Sequence, residues 1–203
     1  MAEAKKRNRA LTTYTNPEFQ PYLLALGYVT LAWNDLQEQL GLLLWALLPG
    51  TGAAALAIWN SSKSDRAQRD MLKGVVTAFS ESDVFAKNVV PKIEWLLGKA
   101  EHLEIARNDA IHSPLISMQT GSERGVVTIV LPSLFQDNPR AVSLDKRKNL
   151  LAELQWCGDT TIALSDYAYW LMVALSERSP LPDIPSLPNR GEKKANQGPL
   201  PIP

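Results

Sequence analysis

The chain has 203 residues, 45% of them hydrophobic, a single cysteine, and 21 Lys and Arg set against 21 Asp and Glu. That length fits one domain with a core of its own, and the balanced charge excludes a global positive field, so a nucleic-acid partner has to be held by a local basic patch. The lone Cys157 excludes an internal disulfide and a cysteine-cluster zinc site, and the expected compartment is the reducing cytoplasm.

The start, MAEAKKRNRALTTYTNPEF, is basic and lacks the apolar centre of a signal peptide. Residues 1–16 are read as a flexible basic segment. From the cap-and-first-turn pair Asn16-Pro17, apolar residues recur at Leu26, Val29, Trp33, Leu36, Leu40, Leu44 and Leu47 until PGTG ends the pattern, which predicts a long amphipathic helix. Its LGLLLWALL run is much shorter than a membrane span, so no membrane contact is expected. Shorter helices follow over 53–59 and 65–79, joined by the polar NSSKS. The next helix carries Phe85, Val89, Ile93, Leu96, Ala100 and Leu103 on one stripe, with a kink expected at Pro91.

After Pro114 the period changes, and LISMQT and VVTIVL flank GSERG as a β-hairpin with a five-residue loop near 115–131. Leu150, Leu154, Cys157, Thr161, Leu164, Ala168, Leu171 and Leu175 then keep the 4-3 spacing of a helix packed nearly parallel to its neighbours. Trp156, Ala163, Tyr167 and Trp170 form a second apolar strip on that helix, to be covered by the hairpin or by a second protomer. Seven of the fourteen prolines fall in the last 24 residues, so 179–203 reads as a disordered tail, dispensable for folding. The expected architecture is all-α: an up-and-down helical bundle over 17–178 with a small β-hairpin insertion.

EIARNDAIHSP, residues 104–114, carries the chemistry. Arg107 falls on the stripe of Leu96, Ala100 and Leu103, where a guanidinium needs an anionic partner. His112 lies about 140° further around an ideal helix, so the two side chains diverge unless the helix ends between them; Pro114 disfavours helical geometry at Ser113 and frees the last turn to bend. Asn108 shares the face of His112 and would orient the ring or a substrate. The helix C-terminus and Asp109 both favour the imidazolium form. RNA supplies its own nucleophile, the ribose 2′-hydroxyl, so cleavage needs a proton carrier and a fixed cation, with no metal and no cofactor. The competing reading makes Arg107 a structural ion pair with Glu104 or with an acid on another helix, and His112 a helix-end cap; Asp35 and Glu38 of the first helix read as a solvated flank, with Glu38 the alternative partner of Arg107. His102 is expected to face solvent, and Cys157 to be core packing.

The string R-N-D-A-I-H at 107–112, near the end of a long helix in an α-helical bundle, resembles the Arg-polar-x3-His signature of the HEPN (higher eukaryotes and prokaryotes nucleotide-binding) superfamily. The resemblance implies a metal-independent endoribonuclease, commonly a homodimer with two Arg/His pairs facing one cleft, of the kind found among toxins and antiviral effectors. It gives Arg107 the phosphate, Asn108 a positioning role and His112 the catalytic imidazole, with RNA as substrate and an antitoxin or regulatory protein as a candidate partner. HEPN toxins silenced by nucleotidyltransferase antitoxins resemble Arg-x4-His-x-Tyr. Here Ser113 and Pro114 follow His112, which leaves no tyrosine at that place for adenylylation. The alternative function is a catalytically inactive helical adaptor that binds a nucleotide, a nucleic acid or a protein through the same cleft.

Overall fold

The computed structural model describes residues 17–51, 53–79, 84–122, 125–132, 138–145 and 149–190, with backbone alone at 84–86, 117–122 and 125–128. The basic segment 1–16 and the end of the tail, 191–203, lie outside them. Six helices and one antiparallel hairpin follow in chain order: α1 (Gln20–Leu47), α2 (Ala53–Ser61), α3 (Asp65–Phe79), α4 (Val84–His112), β1 (Leu115–Ser122), β2 (Gly125–Pro132), α5 (Pro139–Asp145) and α6 (Leu150–Glu177).

The helical periods bury the expected faces. Trp33, Leu36, Leu40 and Leu44 of α1 meet Leu96 and Leu97 of α4 and Leu164 and Leu171 of α6 in one core, which Leu72 and Val76 of α3 extend. Side-chain pairs fix the directions. Ala25 shares a buried cluster with Leu154 and Ala110, Tyr28 donates to Asp159 at 3.1 Å, and Ser165 donates to Asp35. Thus α1 and α6 run parallel. Trp95 meets Tyr167 edge to face, so α4 runs antiparallel to α6. The close approach of α1 and α6 depends on Gly158, where a Cβ would run into the Tyr28 ring.

Three local expectations need correction. A 3-10 turn, Pro17–Phe19, precedes α1, which starts at Gln20 without a side-chain cap. Pro91 lies inside α4 (Val84–His112), where position 91 has no N–H to offer the carbonyl of Lys87. The β ladder pairs Gly121 with Val126 and Ser122 with Gly125, which leaves two residues, 123 and 124, between the strands instead of five. Two-residue connections suit the twist of paired strands. Leu115 and Val130 face inward onto Phe19, so the hairpin sits against the start of α1, directly beyond the end of α4.

The third correction concerns the tail. Asn149 caps α6 by accepting from the Ala152 N–H. At the other end Arg178 adopts φ 51, and Ser179 N–H bonds back to Ala174, a left-handed cap that reverses the chain. Residues 181–190 then run back along α6 in contact with the bundle. Lys92 Nζ donates to the Pro182 carbonyl at 2.7 Å, and Leu181 and Leu187 pack on the core. Trp156 Nε1 donates to the Pro188 carbonyl at 3.0 Å, while Arg190 pairs with Glu153 and lies over the Trp156 ring. Burial, with Asp183 adding, pushes the Tyr167 phenol up to about 12. Proline removes donors but not carbonyl acceptors, so an extended proline-rich strand can still be held by donors on the helices. The strap therefore covers Trp156, and neither the hairpin nor a second protomer is needed there. Trp170 of the same strip is 56% exposed. Truncation after Ser179 is expected to cost about 2 kcal/mol through lost leucine burial and hydrogen bonds, and to lower the melting temperature by roughly 4–8 °C in calorimetry. An unchanged midpoint would mean that the strap contributes nothing to folding.

Candidate functional site

Arg107, Asn108 and His112 occupy the last two turns of α4. The Arg107 side chain is 19% exposed. Its guanidinium carbon lies 5.3 Å from the centre of the buried Trp33 ring, a cation–π distance. Its Nη1 donates to Asn108 Oδ1 at 2.9 Å and stands 3.9 Å from Asp65 Oδ2. The same Asp65 oxygen accepts from Trp33 Nε1 at 2.7 Å. Arg107 Nε is buried without a hydrogen-bond partner.

The anionic partner of Arg107 is thus Asp65, at the start of α3, and neither Glu104 nor Glu38. Glu104 is taken by Arg69, whose side chain is 3% exposed and whose guanidinium lies 5.9 Å from the Trp33 ring centre. Two arginines therefore share one indole. Sequence reasoning missed Trp33, Asp65 and Arg69 as members of this group. A signal for Arg69 exists: Asp65, Arg69, Leu72 and Val76 follow helical spacing, so the rule that singles out Arg107 places Arg69 on an apolar stripe as well.

Asn108 faces Arg107, not the imidazole. Asp109 is buried and accepts from Ser143 of α5 at 2.8 Å, which ties α5 to the end of α4. His112 is exposed and is the last residue of α4, ahead of buried Ser113. The helix continues to His112 and stops at Ser113, so it does not end between Arg107 and His112. The two positions remain roughly 140° apart around the axis and about 7.5 Å apart along it. Within one chain the structure does not bring the two together.

His102 is exposed and borders a groove of about 370 Å³ between α4, α6 and the strap. Cys157 is buried in the α6 seam. Beside Asp65, a larger cavity of about 460 Å³ opens between α1, α2 and α3. Among the described residues no group of three or more His, Cys, Asp or Glu stands where one metal ion would be held, and no helix is long and apolar enough to cross a membrane. The chain matches no protein-family model, no curated protein and no solved structure.

Proposed function

We propose that the chain is a HEPN-type, metal-independent endoribonuclease that works as a homodimer. The observation that carries this reading is the half-buried Arg107 guanidinium, held in place by Trp33, Asp65 and Asn108 on the helix whose last residue is the exposed His112. Arg107 would meet the scissile phosphate and stabilise the charge that builds on it. Asn108 fixes the guanidinium. The ribose 2′-oxygen attacks phosphorus and the 5′-oxygen leaves, with His112 carrying the proton between the two oxygens. The products are a 2′,3′-cyclic phosphate and a 5′-hydroxyl.

The divergence of Arg107 and His112 supports a dimer, because a two-fold axis at the end of α4 sets the histidine of one chain against the arginine of the other. Leu24, Ile116 and Ile129 expose apolar side chains there, and α4 and α1 reach that end together through Ala110 and Ala25. Light scattering at micromolar concentration is expected to give twice the mass of one chain, and a monomer would contradict the shared site.

The second reading, a catalytically silent adaptor, is favoured by one observation: Arg107 already has an acid, an amide and an indole within its own chain. An RNA cleavage assay without metal, with His112→Ala as control, separates the two. Cleavage that survives the substitution, or no cleavage by the parent protein, favours the adaptor.

A further inference from the structure

The cavity beside Asp65 differs in chemistry from the arginine site it adjoins. Leu42, Leu56 and Trp59 give it apolar walls, while Asn34 and Gln37 bring carboxamides and Glu38 a carboxylate. No lysine or arginine lines it, so it is not built for a phosphate. At about 460 Å³ it falls within the roughly 300–1,000 Å³ of small-molecule sites. Both polar atoms of the Gln37 carboxamide are buried without a hydrogen-bond partner. Such a group is costly to leave unpaired and is relieved by a ligand that both donates and accepts.

The cavity shares one residue, Asp65, with the arginine site. Asp65 lines it, and the Asp65 oxygen that faces Arg107 is 3.9 Å from the guanidinium.

We propose that this cavity is a nucleobase subsite selective for guanine. The choice of an RNA base rests on the ribonuclease reading above; the choice of guanine rests on the lining. A carboxylate such as Glu38 accepts hydrogen bonds and donates none. Among the four RNA bases, guanine alone presents two adjacent N–H donors on its pairing edge, which match a carboxylate two to two. Its O6 and N7 acceptors suit the donor side of a carboxamide such as Gln37, and its flat faces suit the half-buried Leu42 and Leu56. Cytosine and adenine offer a carboxylate one exocyclic amine, and uracil one ring N–H.

Calorimetric titration of the full chain with guanosine, adenosine, cytidine and uridine tests the site without a phosphate and without turnover. Guanosine should bind about tenfold or more tighter than the other three, as one good bidentate pair discriminates. Glu38→Gln should erase that preference at an unchanged melting temperature, since Glu38 is exposed. Gln37→Leu should weaken guanosine binding by a comparable factor. Equal binding of the four nucleosides, no binding up to millimolar concentration, or full guanosine selectivity in Glu38→Gln overturns the proposal. Guanosine binding by a chain that cleaves no RNA would leave the subsite standing and reject the nuclease. Cleavage without guanosine selectivity would do the reverse.

Discussion

Replacement of His112 by alanine is expected to lower the rate of RNA cleavage by about 100- to 10,000-fold, the range for loss of a proton-transferring side chain, while the melting temperature stays within a degree or so. The second half follows from exposure. His112 ends α4 in solvent, and surface substitutions of this kind change stability little. Arg107→Ala should reduce cleavage by about 100- to 1,000-fold through lost charge stabilisation. It should also cost stability, because the guanidinium lies on Trp33 and faces Asp65. That cost is about 1 kcal/mol for a partly exposed contact. The two variants thus separate chemistry from packing: one loses activity alone, the other loses activity and a little stability. Equal stability losses with no change in cleavage would identify Arg107 and His112 as structural residues of a binding module.

The largest stability effect is expected at Glu104. Its carboxylate pairs with Arg69, and the two side chains are 24% and 3% exposed. Glu104→Ala removes the more accessible partner and strands a buried guanidinium with one nitrogen, Nη1, already unpaired. Breaking a buried pair in this way costs about 3–5 kcal/mol, with the lower end apt here because Glu104 keeps some contact with water. For a chain of this size that is a fall of roughly 6–15 °C in melting temperature. Arg69→Met in the same background should restore much of the loss, since a buried pair replaced by apolar side chains is often neutral. A midpoint unchanged by Glu104→Ala would show that Arg69 reaches water. The Arg69–Glu104 pair lies one helical turn before Arg107 on α4, so the double variant also tests whether the Trp33 platform survives when only Arg107 covers it.

Periodicity made the long helices legible. The α1 spacing through Trp33 and Leu47 and the α6 seam through Leu154 and Leu171 each identify the buried face, because side-chain direction in a helix follows directly from position. The same rule placed Arg107 against the core. It could not name Asp65 as the partner, since how far α3 slides along α4 is set by packing and not by either sequence segment. Glu104 is the nearer acid in sequence, yet it lies one turn back and faces α3, where Arg69 reaches it. Composition misled at the C-terminal side. Proline content reports a lack of backbone donors, whereas the strap is held by donors that belong to Lys92 and Trp156. The end of α4 follows from the sequence. Pro114 disfavours helical geometry at the residue before it, which is Ser113, and the helix does stop there. It does not stop earlier, so Arg107 and His112 keep their helical divergence.

Analysis of the ends of RNA cut by the purified protein in excess EDTA tests the proposed chemistry most directly. Attack by the 2′-oxygen with proton transfer through His112 predicts 2′,3′-cyclic phosphate and 5′-hydroxyl termini, formed at the same rate with or without chelator. Absolute dependence on a divalent ion, or 5′-phosphate and 3′-hydroxyl termini, would contradict it.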